Sequence, residues 1–186
     1  MAKSLNCDGH ILDRAAIGAA ISILAYLPVA YESAVTGGTV GRAEMLEAAC
    51  RAGTAFDRTG TAMVHALSFI LSEEWHVPHG VACAFTLEDA MRLNAGDPRV
   101  LASLARIGAT TVGGGTPEGV VERLADRLVS MRKAMGLPAS FRDIGAAIAG
   151  DDMERLFEKA FDDPKMANNV VPPSREAIYQ ILRAKL

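Results

Sequence analysis

The sequence predicts an all-α protein, a helical bundle of roughly seven to nine helices. Composition is the first reason. Half of the 186 residues are hydrophobic, Ala is abundant and only 5% are aromatic. That mixture suits closely packed helices better than a sheet, which favours β-branched and aromatic side chains. Pattern is the second reason: apolar residues recur at helical spacing in successive runs, and no stretch makes a convincing strand. The third is punctuation, because Gly, Pro, Asn and Asp cluster between the runs. The length suits one well-buried domain and is short for two, so the expected organisation is an irregular lead-in over 1–12 and a single helical domain over 13–186.

From Asp13 a run containing Ile17 to Leu27 is apolar nearly all round, as expected of a helix inside a bundle. Thr36-Gly37-Gly38-Thr39 is a loop signal. Arg42 to Phe56 carries Met45, Leu46, Ala49, Ala52, Gly53 and Phe56 at helical spacing. A second helix, from about Thr59 to Ser72, continues Met63, Leu67 and Ile70 on one side and puts His65 on a neighbouring face. Gly80–Asn94 is a third helical run, ended by Asn94-Ala95-Gly96-Asp97-Pro98. Pro98 then opens a helix at its first turn, where a missing N–H costs nothing. Thr116-Pro117-Glu118 has cap, proline and acid in the order that starts a helix, here one running to Met135 and stopped by Gly136-Leu137-Pro138. Asp151–Phe161 and Ser174–Leu186 supply two final short helices.

The net charge of −3 gives no electrostatic footprint for nucleic acid. Cys7, Cys50 and Cys83 are odd in number and far apart, without a CxxC pair. The start MAKSLNCDG lacks a signal-type apolar core. The longest apolar stretch, Ala15–Ala30, is broken by Gly18, Ser22 and Pro28, and the expectation is that it is too short to span a bilayer. A reduced, cytoplasmic protein without a membrane partner is expected.

His65, His76 and His79 are three of the four histidines, and they lie around a tight Val77-Pro78-His79-Gly80 turn. With His65 near the end of one apolar run and His79 at the start of the next, the two imidazoles can point at one shared place, as in a metal site built from helices. Neutral imidazole suits both zinc and iron. The competing reading is a buried histidine that merely satisfies a carbonyl. His76 is the weakest of the three, because the loop side of Trp75 is expected to be solvated. Cys83 follows His79 by four residues and could approach a metal, although a small buried hydrophobe is the plainer reading. Asp8 and His10 are further candidates for a metal shell. Gly113-Gly114-Gly115-Thr116 does not follow a strand, so a flexible capped connector is preferred to a phosphate loop. Asp151-Asp152 and Asp162-Asp163 fit helix ends better than cation ligands.

VHALSF, VPHG and a following helix ending in RLN resemble the group III, iron-dependent alcohol dehydrogenases, whose helical domain carries HAxxH, nine residues, then HG. His65 matches the first histidine and His79, fourteen residues on, the histidine of HG; the resemblance implies that both are iron ligands. Gly136-Leu137-Pro138-Ala139-Ser140-Phe141 resembles the family's GLP-x-S-L element, and Asn168-Asn169 its NP or NNP segment. The likeness covers about residues 13–186. Phe69 stands where HAxxH has its second histidine, and Thr86-Leu87 replaces the common Leu-Pro. Both changes resemble the branch containing phosphonoacetaldehyde reductases, with Phe69 shaping the substrate pocket. The family's parallel-sheet domain with its GGGS nucleotide loop has no counterpart, and Asp8–His10 has the wrong spacing for the D-x-x-x-H that supplies the other two ligands.

The resemblance thus implies the helical, metal-binding half of an NAD(P)-dependent alcohol dehydrogenase. It would bind Fe2+ or Zn2+ through His65 and His79 and act on a small alcohol or aldehyde. NAD(P) and the remaining ligands would come from a nucleotide-binding domain or chain, and this chain alone is expected to lack activity. Two alternatives stand beside it. One is an inactive helical interaction or scaffold module that self-associates through the face the absent domain would cover. The other is a non-redox metalloprotein with a His65, His76, His79 site.

Overall fold

The structure, a computed structural model, describes residues 10–57, 59–149 and 152–186, with side chains from Arg14 onward. Among the described residues there is no strand. The helices are α1 (His10–Val35), α2 (Arg42–Asp57), α3 (Met63–Trp75), α4 (His79–Ala84), α5 (Leu87–Asn94), α6 (Pro98–Thr111), α7 (Pro117–Ala134), α8 (Asp152–Phe161), α9 (Pro164–Ala167) and α10 (Arg175–Arg183), with a 3₁₀ turn at Arg142–Ile144. The chain divides into two compact units, Met1–Gly60 with Ala95–Arg127, and Thr61–Asn94 with Leu128–Leu186.

Five expectations are corrected by these boundaries. The ordered helix begins at His10, inside the stretch 1–12 expected to be irregular. It runs through Pro28 to Val35, so the apolar stretch is part of a longer helix, and Arg14–Val35 is long and apolar enough to cross a bilayer by length and composition alone. The helix expected from Thr59 begins at Met63 instead, because Gly60 takes a left-handed turn (φ 70°) that ends the preceding element. The run Gly80–Asn94 is two helices: the Phe85 N–H closes α4 on the Ala82 carbonyl, and the Thr86 carbonyl opens α5 by accepting from Ala90 N–H. With α9 as well, the described helices number ten rather than seven to nine.

In the first unit α1 packs on α2 and α6. The N-terminus of α6 is capped by Asp97, whose Oδ1 accepts from Arg99 N at 2.8 Å and Val100 N at 3.3 Å. The Arg99 side chain and these amide donors hold that carboxyl at about 2. Gly108 on α6 lets α7 come close: a Cβ there would meet Val120 Cγ1 at 2.3 Å. The Gly113–Gly115 loop turns carbonyls inward, since Arg123 Nη2 donates to Gly113 O at 3.1 Å and Gly114 O at 2.7 Å. That is a connector tied to α7, the preferred reading of its sequence.

The second unit holds a core of large side chains. Met63, Leu67, Ile70 and Leu71 on α3 meet Phe85, Phe141, Leu156, Phe157, Ile178 and Leu182. Full burial of each such side chain contributes about 1.5–3 kcal/mol. Phe85 and Phe141 pack edge to face at 5.4 Å, and Trp75 lies 5.6 Å from Phe141. Beneath them runs a buried ion network. Glu88 Oε1 pairs with Arg132 Nη1 at 2.6 Å and Lys185 Nζ at 3.2 Å, and Lys185 also reaches Asp89 Oδ2 at 2.7 Å. Asn169 Nδ2 donates to Asn94 Oδ1 at 2.7 Å, fixing the Asn168-Asn169 segment against the end of α5. This packing holds α3 and α4 in place.

Candidate metal centre

Two helix faces meet in the second unit. On α3, His65, Ser68 and Phe69 fall at i, i+3 and i+4, so they share one face. On α4, His79 and Cys83 fall at i and i+4. The turn between the helices brings these faces together. His76 ends α3 in the left-handed conformation (φ 54°), with its N–H and that of Val77 both returned to Leu71 O. Pro78 then starts α4.

His65 lies in the first turn of α3, not near the end of a helix as its apolar run suggested, because α3 begins only at Met63. The imidazole centroids of His65 and His79 are 5.2 Å apart. One donor atom from each of His65, His79 and Cys83 can be chosen so that all lie within 4.8 Å of one another. Cys83 is a half-buried free thiol, with Sγ 3.6 Å from His79 Nε2. Burial lowers the His65 pKa, helped by the charges of His79 and Lys165. The same causes favour its neutral form, the form that binds metals. Burial also pushes the Cys83 thiol above its usual range, with the neighbouring Ser68 hydroxyl acting in the opposite sense.

His76 stands apart from this cluster. It is exposed and lines a cleft with Trp75, Pro78, Arg132 and Leu137. Asp8 and Asp151 lie outside the described residues, as does the His10 side chain, although His10 itself begins α1. Asp152 and Asp163 serve helix starts: Asp152 Oδ2 accepts from Ala149 N, and Asp163 Oδ1 caps α9 through Lys165 N at 2.8 Å. Phe69 stacks on His79 at 6.0 Å, and Lys165 Nζ lies 4.6 Å above the Phe69 ring. Sequence reasoning missed Ser68 and Lys165. The i+3 spacing from His65 could have found the first; nothing local to α9 points to the second.

The model of the Fe-containing alcohol dehydrogenase family, C-terminal, matches residues 8–186. The chain belongs to the iron-containing alcohol dehydrogenase family. This alcohol dehydrogenase-family domain is 31% identical to a 1-propanol dehydrogenase of Salmonella typhimurium, over 94% of the chain and 48% of the relative. It is 29% identical to an aldehyde-alcohol dehydrogenase of Clostridium acetobutylicum over 76% of the chain, which is 18% of that protein. It therefore spans half the length or less of these relatives. Among solved structures, an alcohol dehydrogenase from Oenococcus oeni superposes with a TM-score of 0.80 at 29% identity, over 96% of this chain and 46% of that one. A sulfoacetaldehyde reductase from Bifidobacterium kashiwanohense, solved with NAD+, gives 0.81 at 26% identity, over 99% and 46%. The domain is the C-terminal, helical part of that fold.

Proposed function

We propose that this domain is the metal-binding half of an oxidoreductase that interconverts a small alcohol with an aldehyde or ketone, using NAD(P). The observation that carries the reading is the approach of His65 and His79, the pair that matches the family's iron ligands, on two faces held by one core. A neutral His65 beside a second imidazole and a thiol fits a divalent transition metal. His65 and His79 would hold iron(II), or zinc, which would supply Lewis-acid chemistry.

The rest of the work falls to this chain's own side chains. Phe69 forms an apolar wall against His79. Lys165, above that ring and paired with Asp163 at 3.5 Å, offers a cation beside the site. Such a cation suits an anionic substrate of the phosphonoacetaldehyde type, the branch that Phe69 resembles. NAD(P) and the remaining ligands come from a nucleotide-binding domain, on the same polypeptide or another, so this chain alone does not turn over an alcohol. Neither nucleic acid nor a membrane is part of this reading, and the setting is cytoplasmic. Self-association is a second reading favoured by one observation: Val35, Val40, Leu46 and Phe56 leave apolar surface exposed on the first unit.

The test is the metal content of the purified chain by plasma mass spectrometry, with His65→Ala/His79→Ala alongside. The expected result is iron or zinc in the parent and none in the double variant. Equal metal in both would overturn the reading.

A further inference from the structure

Cys83 matches none of the family's ligand positions, and the function proposed above makes no use of it. Its placement is nevertheless that of a ligand. Sγ lies 3.6 Å from His79 Nε2 and 4.0 Å from Nδ1. A tetrahedral metal bound at about 2.3 Å to sulfur and about 2.05 Å to nitrogen sets those two donors about 3.6 Å apart. The donors of His65, His79 and Cys83 all lie within 4.8 Å of one another. The widest gap thus exceeds a tetrahedral edge by no more than about 1.5 Å, which rotation of one side chain closes.

Ser68 is placed to favour one nitrogen. Its buried hydroxyl donates to His65 O at 2.9 Å, which leaves lone pairs facing His79 Nδ1 at 3.5 Å. In the tautomer with the proton on Nδ1, that hydrogen can be given to the Ser68 oxygen, and Nε2, 3.6 Å from Cys83 Sγ, keeps its lone pair for a metal.

We propose that His65, His79 and Cys83 form a three-ligand site, two imidazole nitrogens and one thiolate sulfur, that binds a borderline-soft divalent cation of the zinc type in this chain alone, with Ser68 as its outer hydrogen-bond partner. The inference rests on the reading of His65 and His79 as ligands and adds a third. Binding releases the thiol proton to solvent. A thiolate in the set favours zinc or cobalt(II) over hard cations, and three protein ligands leave one tetrahedral position open.

Cobalt(II) is the probe. The full chain carrying Cys7→Ser and Cys50→Ser, with Cys83 as its single thiol, is titrated anaerobically with cobalt(II) and then zinc. One equivalent of cobalt should bind with a thiolate-to-metal charge-transfer band in the near ultraviolet, and zinc should bleach it. Adding Cys83→Ala should remove the band and weaken zinc binding by about tenfold or more, with the far-ultraviolet dichroism unchanged. Ser68→Ala should keep the band and weaken binding by about tenfold. Cobalt uptake without the band in the Cys83 protein would overturn the inference and leave the two-histidine reading standing. No uptake at all would also overturn it; uptake restored by a nucleotide-binding domain would then preserve the wider function.

Discussion

The two compact units differ in what fills them. In the second, Phe85, Phe141, Leu156 and Ile178 are fully buried around an ion network that is itself buried. In the first, the buried positions of α1 and α2 are mostly small, including Ala16, Ala19, Ala48 and Ala55, while Val35, Val40, Leu46 and Phe56 face outward. The candidate ligands His65, His79 and Cys83 lie in the second unit. A site that must hold its donors in place needs neighbours that cannot relax, and the large interlocked side chains around α3 and α4 provide that.

Three substitutions test the contrast, in falling order of effect. Glu88→Ala, in the second unit, strips the shared acid from Arg132 and Lys185. Arg132 keeps its bond to Phe85 O at 3.2 Å and Lys185 keeps Asp89, so a loss of about 3 kcal/mol is expected, the low end for a broken buried pair. Urea denaturation measures it, and a loss under about 1 kcal/mol would mean the network is structurally idle.

Gly108→Ala probes the tightest approach in the first unit. Its Cβ would meet the stiff, branched Val120, which should lower stability by about 1–3 kcal/mol on thermal unfolding. An unchanged melting temperature would show that the first unit repacks freely between α6 and α7, sharpening the difference between the units. Leu46→Glu changes a side chain that is 75% exposed. It should move stability by less than about 0.5 kcal/mol. If the exposed face mediates self-association, the same change shifts the sedimentation profile toward monomer; an unaltered profile counts against that reading.

Much of this was legible along the chain. The helical class, Pro98 and Pro117 at helix starts, and Gly136-Leu137-Pro138 as a stop all follow from local backbone chemistry. The candidate pair His65 and His79 was legible too, through spacing and turn. Other features were not. Gly18, Ser22 and Pro28 interrupt the apolar stretch, which hid that one helix runs past Pro28 to Val35. Apolar periodicity carried across Phe85-Thr86 and hid the bend between α4 and α5, because the same faces stay buried on both sides of it.

Sequence alone determined the helical class, most of the helical segments and which two imidazoles share a neighbourhood, since these depend largely on interactions within a few residues. Tertiary structure decided that Cys83 and Ser68 complete a cluster with them and that Lys165 reaches it from α9. The i+4 spacing of His79 and Cys83 says only that they share a face. What that face meets is set by the packing of α3, α4 and α9, which is a property of the folded core and not of any one segment.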